Sequence, residues 1–351
     1  MKAQFSWPNT LTALLEMRDL SIAEASAAME AVMAGESTDA QIGAFLVALR
    51  AKKETVDEIV GFRDAILNHA VQLPIDPMVL DIVGTGGDPY GAVVNVSSIA
   101  SIVAAASGVP VVKHGNRAAS SSSGASDVLS ALGVNLELEP DDVARVFHEV
   151  GLTFVFAAKF HPGFRHAATA RKEIGIPTVF NILGPLCNPV RPEASAVGVS
   201  NLARVPQVAG VFRTRGASAL VYRGDDGIDK MTTTGHSHVW EVCRGQIYEH
   251  DINSEELGLR KAKPEDLLGE GPEHNAQLAR AVLAGEAGPV RDIVVLNAAA
   301  GLVAYALAQD PAERERSLAE RLMEKISIAQ ASLDSGSASA LLERWVASTH
   351  S

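Results

Sequence analysis

The chain has 351 residues and a formal net charge of −12, with 47% hydrophobic but only 5% aromatic residues. That length predicts two domains, and a core built from Ala, Val, Leu and Ile is typical of helices packed on a buried parallel sheet. The acidic balance offers no basic surface to a polyphosphate backbone, so we expect no nucleic-acid partner.

The cysteines and the apolar stretches bear on the compartment. Cys187 and Cys243 are far apart and have neither a CxxC nor a metal-ligand spacing, so we expect no disulfide framework. Residues 1–9 lack the basic and apolar segments of a secretory signal, and the apolar stretches 99–112 and 293–308 are shorter than a membrane span. The sequence therefore predicts a soluble, cytoplasmic protein without a membrane partner.

Three capping boxes predict helices in the first part of the chain. Ser21, Thr38 and Thr55 each stand three residues before a Glu or Gln, which is the spacing of a reciprocal N-terminal cap. A turn at 74–77 then ends the helical pattern. We expect a small helical domain over residues 1–75.

From residue 79 onward, short apolar runs alternate with helical patterns. The predicted strands are 79–83, 110–113, 153–157 and 219–222, and the predicted helices are 97–107, 125–132, 140–150 and 275–283. Repeated alternation of this kind is typical of a parallel sheet. The fold class is therefore α/β, with a small helical domain plus a larger α/β domain that has a mainly parallel central sheet.

A glycine-rich loop, Gly84-Thr-Gly-Gly-Asp88, stands between the first predicted strand and the next helix. Glycine permits positive φ angles and close approach of amides to a ligand, and the following helix N-terminus offers unpaired N–H groups to an anion. The pattern predicts a phosphate-binding loop. Taken alone it fits a tight turn equally well, since short glycine-rich patterns are common by chance.

A second loop combines cations with hydroxyl groups. Lys113-His-Gly-Asn-Arg117 is followed closely by four serines, Ser120–Ser123, and then by Gly124. Two cations, an amide and four hydroxyls suit diphosphate and sugar oxygens, and the carboxyl ends of parallel strands are where such sites lie. A solvated loop seldom combines these groups, so the sequence favours a binding site here.

A third segment offers groups for a carboxylate or an aromatic ligand. His161 precedes a proline, Arg171 follows, and FNILGPLCNP spans Phe180–Pro189. An arginine matches a carboxylate in bidentate fashion, and a histidine can shape or polarise a substrate site. Each is more often structural, because an arginine flanked by charged residues usually lies on a helix surface.

Clustered acids follow the last predicted strand. Asp225, Asp226 and Asp229 supply the carboxylate oxygens that Mg²⁺ prefers beside a diphosphate. The first two fit a solvent-facing turn equally well. His236 and His238 would point the same way on a strand, but two ligands without a third do not favour a transition-metal site.

With these residues assembled, the sequence resembles the anthranilate phosphoribosyltransferase family over nearly its whole length. The resemblance rests on several ordered motifs: GTGGD at Gly84, NVS at Asn95, KHGNR at Lys113 with its serines, the HP turn at His161, Arg171, FNILGPL at Phe180 and the DDG turn at Asp225. It implies a homodimer with a substrate cleft at a hinge. It also implies that a segment at about 162–190 returns to the helical domain, while 76–161 and 191–351 form the α/β domain that binds phosphoribosyl diphosphate.

The resemblance further implies roles for the matched residues. The donor, phosphoribosyl diphosphate, would be bound by Gly84, Thr85, Gly86, Gly87, Asp88, Asn95, Val96, Ser97, Ser98, Lys113, His114, Gly115, Asn116, Arg117, Ser120 and Ser121. The aromatic carboxylate acceptor would be bound by Gly84, His114, Asn116, His161 and Arg171. Lys113 and Arg171 are the catalytic candidates, and Mg²⁺, held by Ser97 and Asp229, is the expected cofactor. In the family, Mg²⁺ and cationic groups stabilise departing diphosphate while an aryl amine attacks C1 of the ribose.

The chain departs from the family pattern at four positions. Lys230 replaces an acid that bridges two metal ions, and a charged lysine cannot ligate Mg²⁺. Val93 replaces a hydroxyl in a loop one residue longer, Ala158 a usual proline, and Ala125 a serine of many relatives. Either Lys230 takes over part of the second cation's work, or the chain is a paralogue with another acceptor or weak activity.

The predicted function is transfer of the 5-phosphoribosyl group to anthranilate with release of diphosphate, a step of tryptophan biosynthesis. Three alternatives stay open: a paralogue acting on another aromatic carboxylate, a nucleoside phosphorylase of the same architecture, and a ligand-binding relative without catalysis. The FNILGPL stretch and Arg171 favour the transferase over the phosphorylase.

Overall fold

The computed structural model describes residues 5–91, 93–117 and 123–351, and its first part is helical. All three predicted capping boxes are formed: Ser21, Thr38 and Thr55 accept from the amide of the third helical residue, whose side chain accepts in return. Each box satisfies two of the N–H groups that a helix start leaves unpaired. The helices are α1 (Trp7–Leu15), α2 (Ile22–Met33), α3 (Asp39–Lys52) and α4 (Val56–Asn68).

Residues distant in sequence complete the core of this helical part. Phe45 of α3 belongs to the same buried apolar cluster as Ala170 and Leu183. Helices α2 and α4 approach closely at Gly61, where an added Cβ would lie 2.5 Å from the carbonyl oxygen of Ile22. The segment after residue 160 therefore packs against the N-terminal helices.

A seven-stranded sheet forms the centre of the larger part of the molecule, in the order β3-β2-β1-β4-β5-β6-β7. The strands are β1 (Leu80–Gly84), β2 (Val111–Gly115), β3 (Leu152–Phe156), β4 (Ala194–Gly198), β5 (Ser218–Gly224), β6 (His236–Cys243) and β7 (Gln246–Asn253). Neighbours among β1 to β5 are parallel, whereas β6 and β7 pair antiparallel. The predicted mainly parallel sheet and the α/β fold class are confirmed.

Helices cover both faces of the sheet, which is why its strands are buried on both sides. Leu80 and Ile82 of β1 face a cluster that includes α5 and α13, whereas Val83 faces the cluster shared with α11 and the helical part. The remaining helices are α5 (Val96–Ala106), α6 (Ala125–Ala131), α7 (Pro140–Val150), α8 (Ala157–Phe160), α9 (Ala168–Ile174), α10 (Phe180–Leu183), α11 (Val205–Arg215), α12 (Pro272–Leu283), α13 (Pro289–Gln309), α14 (Leu318–Asp334) and α15 (Ser337–Ser348).

Helix α13 is the one helix of the described residues that is long and apolar enough to cross a membrane. However, 78% of its apolar window is buried inside the protein. An added Cβ on Gly301 would lie 2.7 Å from Ile82 Cδ1, so the helix packs tightly on β1. A buried core helix passes the same test of length and composition, so this helix is weak evidence for a membrane span.

The hairpin of β6 and β7 was not predicted. Its two-residue turn, Arg244–Gly245, has positive φ angles of 49° and 71°, as the favoured hairpin turns require. Arginine is not a residue that marks such turns, so the local sequence signal was weak. By contrast, the helix predicted at 140–150 has the observed bounds, because Pro140 and two acids mark its first turn.

Candidate active site

The strand order creates a crevice at the carboxyl ends of the central strands. The chain passes from β1 outward through β2 and β3, then returns to β4 on the other side of β1. Connections that leave a sheet in opposite directions at such a reversal open a ligand-binding crevice. Gly84, Gly115 and Gly198 end the three strands that border it.

The Gly84–Asp88 loop leaves β1 at this crevice. Gly86 and Gly87 have φ angles of 69° and 76°, which residues with a side chain rarely adopt. Ser200 Oγ donates to the carbonyl of Gly86 at 2.7 Å, and Asp88 accepts from two amides that follow it at 2.7 and 3.0 Å. The loop is therefore fixed by its own turns and by the residue after β4.

Asp229 packs directly against this loop although it lies 143 residues from Gly86 in sequence. Its Oδ2 accepts from the Gly86 amide at 2.8 Å, and the residue is 3% exposed. An added Cβ would lie 2.1 Å from Asp229 Oδ2 at Gly84 and 1.7 Å from the Asp229 carbonyl oxygen at Gly198. The other carboxylate oxygen, Oδ1, pairs with Lys230.

Lys113 is buried in the middle of β2, and its side chain reaches the same crevice. Its Nζ donates to the carbonyl of Ile82 at 2.6 Å and lies 3.4 Å from Ser97 Oγ at the start of α5. Burial is the main cause that lowers the pKa of Lys113 to about 8; the nearby charge of Lys230 contributes to this shift, and neighbouring carboxylates oppose it. The Lys113 ammonium thus lies beside β1 and the start of α5, near the Asp229–Lys230 pair.

Asp81 was not predicted as a site residue. It is 1% exposed in β1, where its oxygens accept from the amide of His114 at 3.2 Å and from Asn188 Nδ2 at 3.0 Å. Burial raises its pKa to about 6, and the charge of Lys113 acts in the opposite direction. The sequence signal was an acid inside the apolar run 79–83, which points to a buried charge with a partner.

The start of α5 is tied to two distant segments through Asn95. Its Nδ2 donates to the carbonyl of Ser123 at 3.1 Å, and its Oδ1 accepts from Asn275 Nδ2 at 2.9 Å. Asn275 was not predicted as a site residue, and only the tertiary structure brings it to the start of α5. The side chain of Val96 lies in the core, so only the backbone of this residue could face a ligand. Ser98 Oγ is buried and makes no hydrogen bond to the described residues.

His114 and His161 come together beside the crevice. Their rings meet edge to face with centroids 5.1 Å apart, and His161 stacks on Phe164 at 4.9 Å. His114 Nδ1 lies 3.0 Å from the carbonyl of Gly184. Burial lowers the pKa of His114 to about 4 and that of His161 to about 3, so both rings are neutral near pH 7.

Arg171 lies on the same returning segment. Its guanidinium is 4.8 Å from the centre of the Phe180 ring, and burial lowers its pKa. Within the described residues it forms no ion pair. The half-buried cation is therefore available for an anionic ligand.

The structure does not place Asn116 and Arg117, the end of the second loop, against the Gly84–Asp88 loop. Asn116 is exposed, and its Oδ1 accepts from the amide of Arg117 at 2.8 Å. Arg117 lies 5.8 Å from the Phe156 ring at the end of β3 and lines a cavity of about 420 Å³ there, rather than contacting the Gly84–Asp88 loop. The predicted donor residues Ser120 and Ser121 lie outside the described residues.

Two of the predicted acids have structural partners. Asp226 accepts from the hydroxyls of Thr232 and Thr234 at 2.7 Å, so it holds its own turn. Asp225 pairs at 2.9 Å with His238 on the strand β6. Across the described ranges no group of three or more His, Cys, Asp or Glu side chains could hold a metal ion.

The fold and the site are those of the glycosyl transferase family, whose models match the chain in two parts. Residues 8–70 match the family described as "Glycosyl transferase family, helical bundle domain", and residues 76–339 match "Glycosyl transferase family, a/b domain". The anthranilate phosphoribosyltransferase of Clavibacter michiganensis is 64% identical over 344 residues, which are 98% of each chain.

Solved structures show the same likeness. Anthranilate phosphoribosyltransferase from Thermus thermophilus is 41% identical with a TM-score of 0.88, covering 97% of this chain and 99% of that one. The Saccharomyces cerevisiae enzyme in complex with PRPP and Mg is 28% identical with a TM-score of 0.87, covering 99% of both chains. The chain therefore belongs to the glycosyl transferase family and, within it, to the anthranilate phosphoribosyltransferases.

Proposed function

We propose that the chain transfers the 5-phosphoribosyl group from phosphoribosyl diphosphate to anthranilate and releases diphosphate. The observation that carries the proposal is the convergence of the Gly84–Asp88 loop, the Lys113 ammonium and the Asp229 carboxylate on one crevice. A phosphate loop alone needs no carboxylate, whereas a diphosphate that arrives with Mg²⁺ does. The yeast relatives in complex with PRPP and Mg, and with 4-fluoroanthranilate, support the same pair of substrates.

The donor would lie across the crevice with its diphosphate against the glycine-rich loop. Gly86 and Gly87 let the backbone approach phosphate oxygens without side-chain obstruction. The N-terminus of α5 adds unpaired amides and the hydroxyl of Ser97. Lys113 is held by two oxygen acceptors, so its charge is already in position when the donor binds.

The residues present fit Mg²⁺. Asp229 supplies one buried carboxylate and Ser97 one hydroxyl, both close to Lys113. Mg²⁺ keeps several waters and is usually held by one or two carboxylates plus substrate phosphates, so a larger protein ligand set is unnecessary. The bound ion would neutralise charge that develops on the departing diphosphate.

The acceptor would bind between the crevice and the returning segment. Arg171 offers a planar cation without an ion-pair partner in the described residues, which suits an aromatic carboxylate. His114 and His161 are neutral and line the adjacent surface with Phe164. An aryl amine is a weak base and is unprotonated near pH 7, which is the form that can attack carbon, and the two neutral rings offer it no proton.

The transfer breaks the bond between C1 of the ribose and the diphosphate oxygen, which leaves with the electron pair. The amine lone pair forms the new bond to C1, and the amine then loses a proton to solvent. Because positive charge develops on the sugar and negative charge on the leaving group, positioning and fixed charges are the main means of acceleration. Lys113 stabilises the leaving group, and Arg171 orients the acceptor.

The test is an assay of diphosphate release from phosphoribosyl diphosphate with a panel of acceptors. We expect release with anthranilate, none with benzoate because it lacks the amine, and slow release with aniline because it lacks the carboxylate. Release only with a different aromatic acid would identify a paralogue. Phosphorolysis of nucleosides would identify a phosphorylase, and no reaction with any acceptor would contradict an enzymatic role for the site.

We further propose that the protein acts as a cytoplasmic homodimer in tryptophan biosynthesis. Exposed apolar side chains on the helical part, Leu15, Met17 and Val47, support a subunit contact there. We also propose that residues 1–75, with about 162–190, move as a helical domain relative to 76–161 and 191–351. Light scattering after gel filtration tests the dimer, since a monomeric mass at micromolar concentration would contradict it.

A further inference from the structure

Lys230 brings a second ammonium group to the donor crevice. Its side chain is 12% exposed, and its Nζ pairs with Asp229 Oδ1. The other oxygen of Asp229 accepts from the Gly86 amide at 2.8 Å. The lysine is therefore linked to the glycine-rich loop through a single carboxylate, and it is near enough to Lys113 for the two charges to interact.

The two ammonium groups near the crevice each have a carboxylate close by. Lys113 has Asp81 as its nearby carboxylate, and Lys230 has Asp229. Both oxygens of Asp229 already have partners, so a metal ion that binds this carboxylate must share it with Lys230 or displace the ammonium. If the Lys230 ammonium is displaced from Asp229, its flexible side chain can pair with the bound diphosphate instead.

From this geometry we infer that Lys230 is a built-in cation for the donor's diphosphate group, exchanging its Asp229 partner for a phosphate oxygen as the donor binds. The inference rests on the proposed function, since it requires that diphosphate binds at the Gly84–Asp88 loop. Its consequence is that part of the binding energy for diphosphate is supplied by the protein itself and persists without Mg²⁺.

A structural role for the pair makes different predictions. If Lys230 only neutralised Asp229, replacing both residues by neutral ones would leave diphosphate binding unchanged relative to replacing Asp229 alone. If Lys230 binds phosphate, the ammonium that is left unpaired in Asp229→Asn would attract diphosphate directly. The two roles can therefore be separated by comparing two variants that both lack the ion pair.

The experiment is calorimetric titration with inorganic diphosphate in EDTA and in saturating Mg²⁺. Asp229→Asn is compared with Asp229→Asn/Lys230→Gln, and wild type is compared with Lys230→Gln and Lys230→Arg. Lys325→Gln on α14 is the matched control, because that lysine pairs at 2.8 Å with Glu324 of the same helix and not with a residue of the crevice. Thermal unfolding of each variant checks that it is folded.

In EDTA we expect the double variant to bind diphosphate about ten-fold more weakly than Asp229→Asn, the effect of one charged hydrogen bond. Lys230→Arg should keep wild-type affinity, and Lys230→Gln should depend more steeply on Mg²⁺ than wild type. Equal affinities of the two variants that lack the Asp229 carboxylate, or equal losses with and without Mg²⁺, would overturn the inference. If no variant and no wild-type protein binds diphosphate even with Mg²⁺, the proposed donor site itself is wrong.

Discussion

Arg171 combines partial burial with an unused charge. A guanidinium usually finds a carboxylate when it leaves water, whereas Arg171 packs on Phe180 and forms no ion pair in the described ranges. The stacking holds the planar group in one place, and the proposed acceptor site is one in which this guanidinium pairs with a substrate carboxylate. At the scale of single residues, that proposal rests on a guanidinium that has no ion-pair partner among the described residues.

Replacing Arg171 by Met should raise the KM for anthranilate by about ten- to hundred-fold, because a bidentate charged contact is lost. The KM for phosphoribosyl diphosphate should stay within about two-fold. Steady-state kinetics with each substrate varied in turn measures both. Arg165→Met, an exposed arginine on the same segment, is the control, and an equal effect of both substitutions would contradict the acceptor role.

The buried histidines give a pH dependence to folding. Burial lowers the pKa of His114 to about 4, so the unfolded chain binds more protons than the folded one as pH falls from 6.5 through 4, and stability is lost in that window. Asp81, which accepts from the His114 amide, acts in the opposite direction, because a pKa raised to about 6 makes the folded carboxyl take up its proton first. The pH dependence of the unfolding free energy therefore contains contributions of both signs.

A variant isolates the histidine contribution. Between pH 7 and pH 4, the wild-type unfolding free energy should fall by roughly 2 to 3 kcal/mol more than that of His114→Asn. Lys113 stays charged throughout this range and His161 remains in both proteins, so the difference reports His114. Urea unfolding at three pH values measures it, and parallel pH profiles of the two proteins would contradict the depressed pKa.

At the scale of elements, glycines at strand ends decide whether the site can form. Gly84 ends β1 and Gly198 ends β4, and both leave room for Asp229, which arrives from the turn after β5. Neither requires a positive φ angle, so the reason for glycine is close approach rather than backbone freedom. The sequence predicted that Gly84 contacts a ligand; the structure adds that Gly84 lies against the Asp229 carboxylate and Gly198 against the Asp229 backbone carbonyl.

Gly84→Ala should therefore displace the Asp229 carboxylate. We expect a loss of about 1 to 3 kcal/mol in unfolding free energy from the forced shift, and a raised KM for phosphoribosyl diphosphate. Chemical denaturation and donor kinetics measure the two effects. Gly235→Ala is the control because its added Cβ meets open space, and Gly84→Ala with unchanged donor kinetics would argue against the placement of Asp229 at the donor loop.

At the scale of the whole molecule, Glu54 connects the helical part to α11 of the larger part. Its carboxylate is fully buried in the turn before α4 and pairs with Arg204 at the start of α11, while Gln207 donates to its carbonyl. Val56 of α4 packs on Gly210 further along α11, so the two helices stay in contact beyond this point. The pair therefore holds the turn before α4 against the start of α11.

Breaking this pair should loosen the junction. Arg204→Met leaves a buried carboxylate unpaired and should lower the unfolding free energy by about 3 kcal/mol or more. Glu54→Gln/Arg204→Met should recover part of the loss, because the uncompensated charge is gone. Urea unfolding of wild type, the two single variants and the double variant measures the cycle. Arg204→Met with the stability of wild type would contradict a stabilising role for the pair.

The elements of the fold were mostly predictable because their signals are local. Capping boxes at Ser21, Thr38 and Thr55 mark helix starts through contacts within four residues, and apolar runs mark buried strands. The β6–β7 hairpin was missed because its turn uses Arg244 at a positive φ angle. Local patterns predict what a segment forms but not where a turn departs from the usual residues.

For the site, the sequence by itself determined the candidate groups: the Gly84–Asp88 loop at the end of β1, Lys113 with its neighbours on β2, and Arg171 on α9. Such groups stand next to recognisable strands and helices, so their chemistry can be predicted from short-range pattern. Only the tertiary structure decided that Asp81 and Asn275 join the site and that Asp229, already paired with Lys230, closes against Gly86. These contacts join residues that are far apart in the chain. They depend on burial and on charge pairing, which arise only after the sheet and the helices have packed.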